Sequence, residues 1–266
     1  MSLQLAAAPI ATVDGQPINL ATIDDAVARV IAAAKQAQDF TLFTLNLDHV
    51  VKRRHDADFR SAYRRATFVT ADGAPIVRLA RRQGARLDRT TGADLVLPVC
   101  TAAAQHAIPL HLFGSTEESL AKARSRLQSR FPRLDIRGAE SPRQKFDPHS
   151  EDAAAAGTRI ARSGARICLV ALGAPKQEVF ADRMMARGYG IGYLCVGAAL
   201  DFISGEQQRA PRALQASGLE WFWRLAANPR RLAVRYGRCA GVLADLAVLE
   251  PLRRRVPVRA LNRSGL

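Results

Sequence analysis

Two periodicities alternate along this chain, and the points where one gives way to the other predict its elements. A short run, Ile10–Val13, is separated by Asp14-Gly15 from Gln16–Ile18, the spacing of a hairpin with a two-residue turn. Thr22-x-x-Asp25 then opens an alanine-rich amphipathic stretch, which predicts a helix to about Ala37 with Asp24 and Asp25 in its positively polarised first turn. Compact apolar runs predict strands over Thr41–Asn46, Thr67–Ala71, Leu110–Gly114, Leu134–Gly138, Arg166–Gly173 and Ile191–Gly197. Between them, helical spacing predicts Asp58–Arg65, Ala93–Ala107, Glu117–Arg130, Asp152–Ser163 and Lys176–Arg187, with Ser115-x-x-Glu118 read as a second capping box.

Strand and helix alternating at this interval imply βαβ units. The expected fold is α/β: a mostly parallel sheet with helices on both faces, spanning residues 1–205. After about Gly205 the pattern changes to an arginine-rich helical stretch with Trp221 and Trp223 and no further strand. Residues 206–266 therefore read as a helical appendage. In open parallel sheets ligands bind beyond the carboxyl ends of the strands, so the residues just after each strand carry the expectation of function.

Composition changes this picture in one respect. The net charge is +15, and from Arg224 to Leu266 there are ten arginines, no lysines and only two acids, so the excess gathers in the appendage. Apolar residues there (Leu232, Tyr236, Val242, Leu243, Leu246, Leu249) recur at roughly helical spacing beside Arg253-Arg254-Arg255. That combination suits anionic lipid headgroups, and it also suits a helix packed on the core with a solvated basic side. No signal peptide and no uninterrupted apolar span of about 20 residues is visible, so a protein that is soluble or attached peripherally to a surface is expected. Cys100, Cys168, Cys195 and Cys239 are widely spaced with no C-x-x-C pair, which fits a reducing cytoplasm and neither a disulfide nor a zinc framework.

Four strand ends concentrate polar chemistry. Thr44-Leu45-Asn46 ends one strand and Ala71-Asp72-Gly73 another; Gly173-Ala174-Pro175-Lys176-Gln177-Glu178 joins a strand to a helix, and Gly197 leads to Asp201 and Gly205. Asp72 can point into the crevice as a general base, or it can be a plain Asp-Gly turn residue. Pro175 suits the start of a helix, which would leave the amides at Lys176 and Gln177 free to face a diphosphate or sugar hydroxyls; an ordinary strand-to-helix turn is the alternative. Asp56-Ala57-Asp58 has the form of a metal–nucleotide string, but it lies at a helix start away from any strand end and reads as a helix cap.

Taken together, these residues resemble the WecG/TagA/CpsF glycosyltransferases from Asp14-Gly15 to about Tyr236. The likeness rests on Thr44-x-Asn46, Ala71-Asp72-Gly73, Arg89-x-x-Gly92-x-Asp94-Leu95, Phe113-Gly114, Gly173-x-Pro175-Lys176-Gln177-Glu178, Gly197-x-x-x-Asp201-Phe202-x-x-Gly205, Arg209-Ala210-Pro211 and Gly218-Leu219-Glu220-Trp221-x-x-Arg224-Leu225. The resemblance implies an inverting, metal-independent transferase of the GT-E type, with a Rossmann-like α/β core and a C-terminal helical appendage and without a cofactor, acting with a UDP-sugar donor and an undecaprenyl-diphosphate-linked sugar acceptor at the inner face of the cytoplasmic membrane. It implies Asp72 as general base and Thr44, Asn46, Arg89, Gly114, Lys176, Gln177 and Asp201 as substrate-binding residues. Arg224 and Arg231 would complete the site over the diphosphate. The stretches Thr44–Lys52 and Gly197–Gly205 look most like the xanthan-type β-1,4-glucosyltransferases using UDP-glucose; transfer of N-acetylmannosamine or its uronate is the alternative within the family.

Two other classes fit less well. Nucleic-acid binding would account for the charge, but no zinc-finger spacing or RNA-recognition signature accompanies it. Gly188-x-Gly190-x-Gly192 resembles part of a dinucleotide fingerprint, yet it follows a helix and precedes a strand, the reverse of the required order, so those glycines are expected to end a helix.

Overall fold

A computed structural model describes residues 7–142, 145–211, 214, 222–223 and 229–249, with the side chains of 229–232 and 249 excepted. The hairpin forms as β1 (Ala11–Val13) and β2 (Gln16–Ile18). Asp14 and Gly15 both adopt positive φ, 50° and 71°, as a two-residue turn of the primed type requires. The chain continues through α1 (Ile23–Lys35), β3 (Phe40–Leu45), α2 (Leu47–His55), α3 (Ala57–Arg65), β4 (Phe68–Ala71), α4 (Ala74–Arg81), α5 (Gly92–Gln105), β5 (Leu110–Gly114) and α6 (Glu117–Arg130). It then runs through β6 (Ile136–Glu140), α7 (Glu151–Arg162), β7 (Ile167–Ala171), α8 (Lys176–Met185), β8 (Gly192–Cys195), α9 (Ala199–Ser204) and α10 (Pro229–Ala244), which ends in a π-helical turn at Asp245–Leu249.

The six strands β3–β8 form one parallel sheet in the order β4-β3-β8-β7-β5-β6. Burial on both faces explains why β3, β4, β5, β7 and β8 are largely apolar runs instead of alternating ones, whereas β6, at the sheet edge, is mostly half-buried and mixed. In β3, Phe43 and Leu45 enter one core while Phe40 and Leu42 enter the other. The first core packs the sheet against the hairpin, α3, α4, α7 and α8; the second packs it against α1, α5, α6 and α9. Connections that step toward β4 cross the first face, and those that step toward β6 cross the second, as a single crossover hand demands. The helices after β3 and β7 therefore go to one face and those after β8 and β5 to the other. In open parallel sheets a reversal of this kind, here at the carboxyl end of β8, is where a ligand crevice is expected.

Side-chain caps set most helix starts. Thr22, Asp56, Thr91 and Ser150 accept from the amides of Asp25, Phe59, Asp94 and Ala153 at 2.9–3.2 Å, each such cap being worth about 1 kcal/mol. Asp56 is thus the cap expected from its position, and Asp58 pairs with His149 at 3.1 Å. The cap of α6 differs from expectation by one residue: Thr116, not Ser115, accepts from Ser119 N, because Ser115 sits at φ 51° and turns its hydroxyl to Asp201. Gly188, at φ 71°, follows the end of α8 as expected.

Two helices, α2 and α4, lie where the sequence suggested only a strand end and an Asp-Gly turn. Helix α2 is started by Asn46 and carries Lys52, Arg53, Arg54 and His55 in its last turn, where the helix dipole favours positive charge. Helix α4 starts from Gly73 at φ 91° with Pro75 in its first turn, and it buries Ile76, Val77, Leu79 and Ala80.

Helix α10 packs on the core. Leu246 is buried, and Val242 and Leu243 contact the first core, so these residues follow the core-packing alternative for the appendage. Arg54 joins α2 to the hairpin turn at Asp14 (2.7 Å) and to Asp245 (2.9 Å). Phe222, Trp223, Val234 and Val248 remain exposed. Among the described residues no helix is long and apolar enough to cross a membrane.

Candidate functional site

The sheet register brings the expected strand ends together. Leu45 pairs with Ala71, and β8 lies between β3 and β7 with Leu42 beside Leu194 and Val170 beside Cys195. Asp72 follows β4, its amide donating to Leu45 O at 2.8 Å, and Thr44 Oγ1 donates to Asp72 Oδ2 at 3.4 Å. Thr44 is itself held from behind. The Tyr63 hydroxyl donates to its carbonyl at 3.3 Å and shares a 2.8 Å hydrogen bond with His49 Nδ1. Burial pushes the His49 imidazole down to about 3, so this support stays neutral at working pH. The result is a carboxylate at a strand end, oriented by a hydroxyl on the neighbouring strand.

Asn46, expected to meet substrate, uses its side-chain oxygen to cap α2, accepting from His49 N at 2.9 Å. One turn on, Asp48 is ion-paired with Lys52 at 2.7 Å and with Arg235 of α10 at 2.9 Å. Burial alone would raise Asp48, but the Lys52 hydrogen bond and the two positive charges outweigh it and hold the carboxyl below its usual range. Lys52 also donates to Ala174 O at 3.0 Å, in the turn that leads into α8.

That turn differs from expectation in one detail. The Gln177 amide is not free for a ligand but donates to Gly173 O at 3.1 Å, and the Gln177 side chain is buried. Gln177 Oε1 accepts from Gly197 N at 3.1 Å, tying the loop after β7 to the loop after β8, while its Nε2 donates to Glu178 Oε1 at 2.8 Å. Lys176 is exposed at the first position of α8.

On the other side of β8, the start of α5 lies so close that a Cβ on Gly92 would fall 2.8 Å from Val196 Cα. Asp94 in this first turn pairs with Arg209 at 2.7 Å and with Arg89 at 3.3 Å. Burial opposes its charge, but the hydrogen bonds from Arg209 and Thr91 and the two guanidinium charges keep the carboxyl below the usual range. Asp94 thus holds two guanidinium groups beside the crevice, in the planar form that suits phosphate oxygens.

Asp201 is engaged within the protein. It accepts from the Ser115 and Ser119 hydroxyls, the latter at 2.8 Å, and from Gln207 Nε2 at 2.9 Å. Gly114 is explained by packing: at φ 114° a Cβ would lie 2.4 Å from Ala171 O. Arg224 lies outside the described residues, and of Arg231 only the backbone, in α10, is described. A groove of about 770 Å³ between α6 and β6 opens at the opposite edge of the sheet from Asp72.

Sequence reasoning passed over Asp48, Lys52 and Glu178 as site residues. The signal for the first two was the charge pattern of α2, an acid after its cap and basic residues in its last turn. Arg209 was visible only as part of a motif, since nothing local marks an arginine that pairs with an acid more than a hundred positions earlier.

Comparison with known families agrees with this geometry. Residues 11–256 match the model described as the glycosyl transferase WecG/TagA/CpsF family.

Proposed function

The chain belongs to the WecG/TagA/CpsF family of glycosyltransferases, and from that premise we propose that it is an inverting, metal-independent β-1,4-glucosyltransferase. It moves glucose from UDP-glucose to an undecaprenyl-diphosphate-linked sugar in cell-surface or exopolysaccharide synthesis. The observation that carries the reading is Asp72, set at the carboxyl end of β4 against the Thr44 hydroxyl and beside the crevice. In that position it accepts the proton of the acceptor hydroxyl as the hydroxyl oxygen bonds to the donor's anomeric carbon. The bond from that carbon to the diphosphate breaks, and UDP leaves with the electron pair. Displacement from the opposite side inverts the anomeric configuration. Arg89 and Arg209, held by Asp94, supply positive charge for the leaving diphosphate; Arg224 and Arg231 add to it from the appendage.

The lipid-linked acceptor places the enzyme at the inner face of the cytoplasmic membrane. The exposed Phe222, Trp223 and Val234 supply apolar surface, and the arginine-rich sequence of residues 206–266 supplies the positive charge that suits anionic lipid. The catalytic core is residues 1–205, onto which α10 docks through Arg235 and Asp48.

Product stereochemistry tests this reading. With UDP-glucose, whose glucose is α-linked, and a short-chain polyprenyl-diphosphate-glucose acceptor, proton NMR of the product is expected to show a new β-anomeric signal with transaxial coupling. An α-linked product would overturn single displacement with Asp72 as base, and product from an N-acetylmannosamine donor alone would replace the sugar.

A further inference from the structure

Glu178 is an acid in a place that normally excludes acids. Its side chain has no exposure; Oε1 accepts from Gln177 Nε2, and Oε2 has no hydrogen-bond partner among the described residues. Burying such an oxygen is unfavourable relative to an apolar residue of the same shape, so packing alone does not account for it. The bond that Glu178 does make has a directional consequence. A side-chain amide can present either its oxygen or its nitrogen to a given neighbour, and a carboxyl on one side settles the choice. With Nε2 drawn to Glu178, Gln177 turns Oε1 to the Gly197 amide, which requires an acceptor.

Gly197 is the first residue of the turn that leaves β8 at the crevice. It sits at φ 58°, and a Cβ there would meet no atom within 4 Å, so its outer side faces open space. We propose that Glu178 is a positioning residue for glycosyl transfer: by orienting the Gln177 amide it fixes the Gly197 turn, and with it the floor of the substrate crevice. The chain of contacts runs Glu178 to Gln177 to Gly197 and joins the loops after β7 and β8 across 20 residues of sequence. It rests on the transferase reading for its effect on activity and on geometry alone for its effect on the turn.

The groups around Glu178 decide its charge. Lys52 and Asp48 face it from α2, Tyr63 from α3 and Cys195 from β8, and Lys52 is already committed to Asp48. Burial dominates and pushes the carboxyl up to about 7. A folded-state value above the unfolded one means that this group's contribution to stability is complete below about 4.5 and is lost as pH rises through about 7.

The experiment is hydrogen exchange at the Gly197 amide, with transfer kinetics on the same full-length proteins. Glu178→Met fills the same space without an acceptor and is expected to speed Gly197 exchange at least tenfold, while Glu178→Gln, which keeps a carbonyl, restores protection. Gln177→Leu is expected to match Glu178→Met, and the double variant to exchange no faster than either. In transfer assays Glu178→Met is expected to raise KM several-fold with less change in kcat, since Asp72 and Thr44 are untouched. Wild-type Gly197 exchange in Glu178→Met, or additive effects in the double variant, would overturn the proposal. Should Glu178→Met not fold, Gln177→Leu decides: it removes the acceptor of the Gly197 amide directly, and wild-type Gly197 exchange in that variant would overturn the proposal. If the exchange results hold while no donor supports transfer, the functional reading fails and the positioning of Gly197 stands.

Discussion

Asp72→Asn is expected to lose about 10²–10⁴-fold in turnover, the usual contribution of a positioned general base, while UDP binding and thermal stability stay close to wild type. The substitution is nearly isosteric. An asparagine oxygen can still accept from Thr44 Oγ1, whose bond to Asp72 Oδ2 is 3.4 Å long, and the backbone bond from residue 72 to Leu45 O is unaffected. What disappears is the ability to take a proton. If Asp72 were only a turn residue ahead of Gly73, the amide would serve equally well, and turnover within about threefold of wild type would remove it from the mechanism. Rates are to be compared at saturating donor and acceptor, so that a change in binding is not read as a change in chemistry.

The largest expected effect on stability comes from Gly114→Ala. Gly114 holds φ at 114°, a region that an alanine avoids at a cost of about 1–3 kcal/mol. The new Cβ would also fall 2.4 Å from Ala171 O and 2.5 Å from Ala171 C. Both are backbone atoms of β7, paired with this residue in the sheet register, so relief requires the strands to part at the end nearest the site. Strain and overpacking together give about 3 kcal/mol or more. At roughly 2–4 °C per kcal/mol for a domain of this size, the melting temperature is expected to fall by about 6–12 °C or more. Gly197→Ala is the control: φ there is 58°, with no atom within 4 Å of the added carbon, so only the left-handed backbone cost of about 1–2 kcal/mol applies. Equal melting temperatures for the two variants would show that the close approach of Gly114 to β7 does not matter.

The sheet was legible because its strands are buried on both faces, so that runs such as Ile167–Ala171 are continuously apolar and stand out from the helices between them. Helix α2 was not, because Leu47–His55 has only three apolar residues among nine and follows directly on a strand, so its start at Asn46 looked like a strand end. Helix α4 was hidden behind Gly73-Ala74-Pro75, residues that spell a turn as readily as a helix start. Asp72 and Thr44 were singled out by their places at strand ends, and the fold sets them within hydrogen-bond distance of each other. For Gln177 the sequence suggested a side chain and an amide facing ligand, whereas both are used within the protein. Pairings such as Asp48 with Arg235 and Asp94 with Arg209 depend on which surfaces meet after folding, and charge pattern along a chain does not specify that.

The most direct test of the central claim is transfer of labelled hexose in the presence of EDTA. Full-length protein is incubated with a short-chain polyprenyl-diphosphate-sugar and, in parallel, UDP-glucose, UDP-N-acetylmannosamine and UDP-N-acetylmannosaminuronate. Label is expected to move from UDP-glucose into the lipid-extractable product despite the chelator. Protein that neither binds UDP nor transfers from any donor would contradict the account, and transfer abolished by EDTA and restored by a divalent cation would contradict its reliance on arginines alone.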